Sequence, residues 1–394
     1  MNLNKLMEKL TAFESYGFPV LSVYLNAGAN ESGRDEFQTW LRNELFKHGK
    51  DFEAESVEAQ SFEKDVERIT NFAENEVEES AQGIAIFACF GAAEFFETVQ
   101  IEVPFPNNRL LIFDRPHVFP LARAIDQNPV YLALWADTNK ANIYIFGGDT
   151  IDAETDRENQ VEEIQNTETK QTKVGEWSQA RYQRHIENFH LKHAKEVVDE
   201  VEVLMRKRKI EHLILCGDET GIIPILREQL PKALEESVIG VLNLSQYDSL
   251  EKIHNETLEL MREYDDKKDE ERIQRVFDTA KAAAGLGTIG VKDTLAALSN
   301  GQVEELVISA SFDDIKYRRK EVEEVLEAYA PGDDNSAGDE LPEVDEPRQI
   351  ADELIIRALN SAAKIYFIED SEKIRELGGV GAVLRYNINA TANG

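Results

Sequence analysis

Short apolar runs alternate with amphipathic stretches along the first part of the chain, which predicts strands separated by helices. Strand-like runs occur at FPVLSVYLNA (18–27), GIAIFACF (83–90), FFETVQIEV (95–103) and RLLIFD (109–114). Helical periodicity occupies roughly residues 35–48 and 58–79. Because helices between strands pack on the face of a sheet, residues 1–125 are predicted to form one α/β or α+β domain.

The next segment predicts a sheet with some parallel pairing. VYLALWAD (130–137) and NIYIFGG (142–148) are expected to pair around a turn at Asp137–Asn142. Residues 147–166 are acidic and unpatterned. A long helix follows, then a strand at 210–217, one helix over GIIPILREQLPKAL (221–234), a strand at 237–245 and a helix from Ser249. This β-α-β-α alternation assigns residues 126–265 to a second domain.

A third domain, residues 266–394, is predicted to begin within the charged stretch Asp265–Arg275. Residues 291–312 are typical of a helix, an Asn-Gly stop and a strand, and residues 349–370 of a helix followed by a strand. Residues 331–347 carry seven acids and no base, which predicts an insertion without a packed core. The fold class is therefore α/β, with three α/β or α+β domains, each a mixed sheet with packed helices.

Composition agrees with several ordinary domains. The chain has 394 residues, of which 42% are hydrophobic and 8% aromatic, so each domain can bury a core. Cys89 and Cys216 lie singly in apolar runs without metal-ligand spacing, which favours buried thiols of a reducing compartment. There is no signal-peptide pattern and no run of about 18 apolar residues. We therefore expect a cytoplasmic protein with no membrane partner.

The net charge of −33 excludes a protein that coats RNA or DNA, because that affinity depends on cations that neutralise phosphates. Residues 170–195 are different: they carry six Lys or Arg and two Glu, a net charge of +4. Gly175 lies in a polar loop, and Ser178 is placed to cap the helix that follows. A positive segment in so acidic a chain indicates an anionic partner, with phosphate the first candidate.

Helical spacing places the polar and apolar residues of this segment on separate faces. At 100° per residue, one arc of about 100° contains Arg181, Arg184, His185, Asn188, Lys192 and Lys195. A second arc contains Tyr182, Ile186, Phe189, Val197, Val201 and Leu204. The first arc is either a phosphate-binding surface or a solvated helix face. The run Arg206–Lys209 either stabilises the helix C-terminus or makes a second RNA contact.

Motifs for other chemistry are weak. GLGTIG (285–290) follows a helical pattern, whereas a dinucleotide-binding loop follows a strand. GGVGAV (378–383) precedes a strand and is interpreted as a turn. His190 and His193 fall on the apolar arc and His185 on the other, so core or boundary positions are favoured over a zinc site. No HExxH or GxSxG motif occurs. No metal and no cofactor is expected.

Four segments resemble the archaeo-eukaryotic class 1 release factors and their relatives, including Pelota and bacterial members. GGVGAVLRYNI is similar to that family's closing GGIGGILRY, and GEWSQARYQRH to its GGQSALRFARLR. VKDTLAALSNGQVEELVISASFDDIKYRR resembles the start of the third domain. GIAIFACFGAAEFFETVQIEVPFP with RLLIFDRPHVFPL resembles the end of the first. The resemblance implies three domains arranged as in class 1 release factors.

Two departures bear on function. The family's Gly-Gly-Gln triplet aligns with Gly175-Glu176-Trp177, and a glutamine follows two positions later as Gln179. The linker GKDFEAESVEAQ (49–60) is acidic and lacks the Asn-Ile-Lys-Ser motif of stop-codon readers, so stop-codon decoding is not expected.

The resemblance implies ribosomal RNA of the peptidyl-transferase centre and tRNA as partners, with a translational GTPase as a further candidate. Gly175 and Gln179 would be catalytic, with Gln179 ordering the water that hydrolyses the peptidyl-tRNA ester on stalled ribosomes. RNA would be bound by Lys170, Lys173, Trp177, Arg181, Arg184, His185, Lys192 and Lys195. The alternative is a non-catalytic A-site occupant, a hibernation or rescue factor similar to Pelota or Balon, in which Trp177 and the arginines plug the centre. A tRNA nuclease has no supporting motif.

Overall fold

Three sheets with helices packed on them make up the structure, a computed structural model. The residues that it describes are 3–28, 36–53, 55–101, 103–147, 162–165, 179–245, 247–282, 285–329, 347–369 and 371–388. Two compact units are formed: one contains the described residues up to Asn128 and from Asp269 onward, and the other those from Pro129 to Lys268. The predicted mixed α/β fold class is confirmed.

The first sheet is antiparallel throughout. Its segment contains, in chain order, α1 (Leu3–Thr11), β1 (Val20–Asn26), α2 (Phe37–His48), α3 (Val57–Asn75), β2 (Gly83–Cys89), β3 (Phe95–Ile101), β4 (Arg109–Phe113) and α4 (Phe119–Gln127). The strand order is β3-β2-β1-β4. β1 and β2 are buried along their length, because α2 and α3 cover one face of the sheet and α1 and α4 contribute to the core on the other.

The second sheet is mixed, as the alternation of strands and helices predicted. Its elements are β5 (Tyr131–Ala136), β6 (Lys140–Phe146), β7 (Glu162–Gln165), α5 (Gln179–Arg208), β8 (His212–Gly217), α6 (Ile222–Gln229), α7 (Lys232–Ser237), β9 (Val238–Leu242) and α8 (Leu250–Lys281). The order is β7-β6-β5-β8-β9, in which β8 pairs in parallel with both neighbours. β7 lies in the stretch that the sequence pattern left unassigned.

Both faces of β5 are covered, which explains its continuous apolar sequence. Leu132 and Leu134 point to the core that contains α5, whereas Tyr131 and Trp135 point to the core that contains the first half of α8. Because successive side chains of a strand point to opposite faces of the sheet, alternate residues of β5 belong to different cores. The free thiol of Cys216 is buried in the second of these cores.

The third sheet combines antiparallel and parallel pairs. Its segment contains β10 (Gly287–Ile289), α9 (Val291–Ser299), β11 (Val303–Ser309), a short 3₁₀ turn (Phe312–Asp314), α10 (Arg319–Ala328), α11 (Pro347–Asn360), β12 (Lys364–Ile368), α12 (Glu372–Glu376) and β13 (Val380–Leu384). The order is β10-β13-β11-β12, with β11 and β12 parallel. One apolar core joins this segment to the first sheet, since Leu6, Phe87 and Phe119 lie in the same cluster as Leu306 and Leu354.

One element prediction was wrong. The single helix predicted over residues 221–234 is two helices, because Pro231 cannot donate a backbone hydrogen bond and holds Leu230 in an extended conformation with ψ 125°. The stretch Asp265–Arg275, within which the third domain is predicted to begin, lies inside α8, which runs without a break from Leu250 to Lys281. The start of GLGTIG follows α8, as expected, and GTI forms β10 rather than a phosphate loop.

Candidate nucleic-acid interface

Helix α5 organises the candidate site. It is a single helix from Gln179 to Arg208. The apolar positions of its C-terminal half are almost fully buried against the second sheet, with Ala194, Val197 and Val201 at 0% exposure and Leu204 at 6%. For Val197, Val201 and Leu204 the predicted apolar arc is confirmed. Packing of this face stabilises the helix, whose sequence lacks the Gly and Pro that would break it.

The cationic arc is partly described. Lys192 and Lys195 are exposed on the face opposite the core. The ammonium of Lys192 lies 3.9 Å from a carboxylate oxygen of Glu196, one turn further along, in a pair exposed to solvent on both sides. Such an exposed pair contributes little to stability, so a phosphate can compete with Glu196 for this ammonium.

The positive face occupies only the first part of the helix. Continuing at 100° per residue, Asp199 falls in the same arc as Lys192 and Lys195, and it too is exposed. The next cation in that arc is Arg206. Helical spacing alone identifies Asp199 as an acid within this arc. An anionic partner on this face would therefore contact the residues that precede Asp199.

Other predicted site residues are less completely placed. Arg181, Arg184 and His185 belong to the first turns of α5, where only the backbone is described; helical spacing places them in the same arc as Lys192 and Lys195. Gln179 is the first residue of the helix, and its side chain lies outside the described part. Also outside the described residues are Lys170, Lys173, Gly175 and Trp177. The assignment of these residues to a site stays a prediction.

The side chains of two histidines of this helix, His190 and His193, are described. His193 is buried at 2% exposure, and burial lowers the pKa of its imidazole, so the ring is neutral at pH 7. His190 is half-buried. Core and boundary positions are thereby confirmed for these two residues. Within the described ranges, no group of three or more His, Cys, Asp or Glu residues is arranged to hold a metal ion.

The helix ends in a cluster of four exposed cations, Arg206–Lys209. Lys209 adopts the left-handed conformation at φ 57°, and the amide of Ile210 donates to the carbonyl of Met205 at 2.9 Å. This is a Schellman-type ending, at a position usually occupied by glycine. These cations interact favourably with the negative end of the helix dipole. The predicted alternative, a second contact with RNA phosphates, stays a prediction.

Comparisons with known proteins agree with this architecture. Residues 116–262 match the model of bacterial archaeo-eukaryotic release factor family 10, and residues 267–388 match eRF1 domain 3. Peptide chain release factor subunit 1 of Thermococcus kodakarensis is 24% identical, covering 98% of this chain and 97% of the relative. The eukaryotic subunit 1 of Saccharomyces cerevisiae is 26% identical over 46% of each chain. The chain belongs to the archaeo-eukaryotic release factor/Pelota superfamily.

Among solved structures, the archaeal translation termination factor aRF1 is similar at 17% identity and a TM-score of 0.26, covering 98% of this chain and 97% of that one. A model of ribosome-bound archaeal Pelota and ABCE1 matches at 13% identity and a TM-score of 0.41, covering 98% and 94%. None of the helices in the described part of the chain combines the length and apolar character that a bilayer crossing requires.

Proposed function

We propose that this protein is a release-factor-like translation factor that binds cytoplasmic ribosomes and hydrolyses the ester of peptidyl-tRNA on stalled ribosomes, without decoding a stop codon. The observation that carries the proposal is helix α5. It starts at Gln179, and its C-terminal half is held by buried side chains of the second sheet. A helix packed on a domain in this way can carry the segment that precedes it, which contains Gly175, to a distant reaction centre.

Proteins of similar sequence also support a function in translation. Those that span nearly the whole chain are peptide chain release factors. Exposed Lys192 and Lys195, with Arg181 and Arg184 on the same helical face, supply the cations that a binding surface for rRNA or tRNA phosphates requires. A translational GTPase is the candidate partner for delivery.

The proposed reaction is ester hydrolysis. Water adds to the carbonyl carbon of the ester, the bond to the ribose oxygen breaks, and a proton passes to that oxygen, giving free peptide and deacylated tRNA. Gln179 would orient the water, and Gly175 would let the backbone approach closely. Such catalysis depends on positioning the water and on stabilising the oxyanion, and the ribosome would supply much of the site.

A second candidate is favoured by Glu176 and Trp177, which stand where the family has glycine and glutamine. A carboxylate beside RNA is repelled, and an indole can stack on a base. These features suit a non-catalytic occupant of the A site, a rescue or hibernation factor that plugs the centre.

Peptidyl-tRNA release from stalled large subunits separates the two candidates. We expect wild-type protein to release the peptide and Gln179→Ala to slow release about a hundredfold. Gln183→Ala is the matched control, because Gln183 lies one turn further along α5, outside the cationic arc, and should release normally. Wild-type protein that binds without release would favour the plug, and normal release by Gln179→Ala would reject the role of the glutamine.

A further inference from the structure

A cavity of about 460 Å³ lies within the unit that contains the first and third sheets. It opens at the carboxyl ends of the parallel strands β11 and β12, where Ala310–Asp314 and Glu369 form part of its lining. The loop before β4 and one side of α4 complete it. Ligand sites of α/β sheets are commonly found at this end of parallel strands, and cavities of roughly 300–1,000 Å³ suit small molecules.

Four of the residues that line this cavity are aromatic: Tyr24, Phe105, Phe119 and Phe312. Phe105 and Phe119 are 3% and 1% exposed, so they belong to the core behind the cavity. The ring of Phe312 lies 4.3 Å from that of Phe119, centroid to centroid, and is only half-buried. Phe312, supported by Phe119, is therefore the aromatic ring that the cavity offers next to its charged groups.

Two ion pairs account for most of the charge in the lining. Nη2 of Arg123 donates to Oε1 of Glu369 at 2.5 Å, and Nε of Arg375 donates to Oδ1 of Asp314 at 3.1 Å. Each guanidinium is matched by a carboxylate. These pairs leave Arg109 and Asp313 as the remaining charged residues of the lining.

Arg109 lacks a carboxylate partner among the described residues. Its guanidinium carbon lies 5.6 Å from the centroid of Phe312, and that of Arg348 lies 5.9 Å from the same ring. Burial, followed by repulsion from Arg348 and Arg123, lowers the pKa of Arg109. A half-buried guanidinium without a carboxylate partner among the described residues is a candidate to bind an anion.

We propose that this cavity binds a small phosphorylated molecule of about mononucleotide size, with a phosphate on Arg109 and its apolar part against Phe312. A guanidinium binds phosphate oxygens through parallel hydrogen bonds, and the planar ring of Phe312 suits a base. Sequence patterns could not identify this site, since its lining comes from segments scattered between Tyr24 and Arg375.

Isothermal titration of the full chain with AMP, GMP, pyrophosphate and citrate tests the proposal. We expect AMP or GMP to bind, pyrophosphate to bind less tightly, and citrate to bind least. Arg109→Gln should weaken nucleotide binding about tenfold. Asp313→Asn should strengthen it, because it removes an exposed carboxylate from the lining. Arg42→Gln is the control: this exposed arginine pairs with Glu74 outside the cavity and should bind as the wild type does.

Asp313→Asn keeps the test decisive even if Arg109→Gln folds poorly, because it is expected to change nucleotide binding in the opposite direction. The proposal is overturned if neither nucleotide binds at millimolar concentration, or if citrate or pyrophosphate binds as tightly as the nucleotides. Equal binding by wild-type protein and Asp313→Asn, or equal losses in Arg109→Gln and Arg42→Gln, would also overturn it. Such a failure leaves the proposed function intact, because α5 lies in the other compact unit.

Discussion

Asp352 on α11 and His117 before α4 form a buried pair between segments more than 200 residues apart: Oδ2 of Asp352 lies 2.5 Å from Nδ1 of His117. The other carboxylate oxygen accepts hydrogen bonds from the amides of Val118 and Phe119, both at 2.9 Å. These amides belong to the start of α4, which has no side-chain cap of its own at Val118. The carboxylate of Asp352, in the segment of the third sheet, therefore caps α4, a helix in the segment of the first sheet.

Replacing Asp352 by alanine should destabilise this unit strongly. The change leaves two buried amides unsatisfied and removes the partner of a fully buried imidazole. We expect a loss of about 3–5 kcal/mol in the free energy of unfolding, measured by urea denaturation. Glu324→Ala on the exposed face of α10 is the control and should change the free energy by less than about 0.5 kcal/mol. Similar values for the two variants would show that the pair is not a structural tie.

The buried carboxyl of Asp65 predicts a specific pH dependence. Burial raises the pKa of Asp65 to about 6, although the amide of Phe90 donates to its Oδ2 at 3.0 Å. Since the folded pKa exceeds the unfolded value of 3.8, the contribution of this group to stability is complete below about pH 4 and is lost as pH rises through 6.

Asp65→Asn removes this titration, so its stability relative to the wild type should rise between pH 4 and pH 7 and stay constant above that range. Urea denaturation across this range measures the difference. Gln60→Ala, an exposed change on the same helix that removes no titratable group, provides the comparison and should give a flat difference. A flat difference for Asp65→Asn as well would contradict the raised pKa.

The glycine-rich turn before β13 has a steric cause. Gly379 has φ +85°, and a Cβ there would lie 2.4 Å from the carbonyl oxygen of Asp314. Its own carbonyl accepts a hydrogen bond from the amide of Ser309 at 2.8 Å, so the backbone cannot move freely. Gly379→Ala should cost about 2–4 kcal/mol of folding free energy.

Gly301 offers a matched comparison. It also has a positive φ, +65°, but no atom lies within 4 Å of the point that a Cβ would occupy. Gly301→Ala should cost only the backbone strain, about 1 kcal/mol. Thermal denaturation of both variants separates backbone strain from steric overlap. Equal decreases in melting temperature would mean that the overlap with Asp314 is relieved at little cost.

Elements with strong patterns could be predicted from the sequence, because β5 is a continuous apolar run that is buried on both faces, and burial follows a helical period along the C-terminal half of α5. The middle of α8 could not be interpreted in this way. Residues Asp265–Arg275 are charged on most sides, so no apolar stripe indicates that the helix continues through them.

Sequence patterns could not predict contacts between residues far apart in the chain. Nothing local distinguishes Asp352 from the other acids of the chain, and its role follows only when α11 and α4 are brought together. For the candidate RNA-binding face, helical spacing gave the exposed positions of Lys192 and Lys195 correctly, and the same projection identifies Asp199 as an acid on this face.

The basic face of α5 is proposed to bring the segment that precedes it to ribosomal RNA. Co-sedimentation with ribosomes over a range of salt concentrations tests it most directly. Arg181→Ala with Arg184→Ala should pellet less than the wild type, with a salt slope lower by about two units. Lys232→Ala with Lys252→Ala removes two exposed cations from the same unit, away from this face, and should behave as the wild type does. If the arginine variant pellets as the wild type at every salt concentration, this face is solvated surface and the claim is wrong.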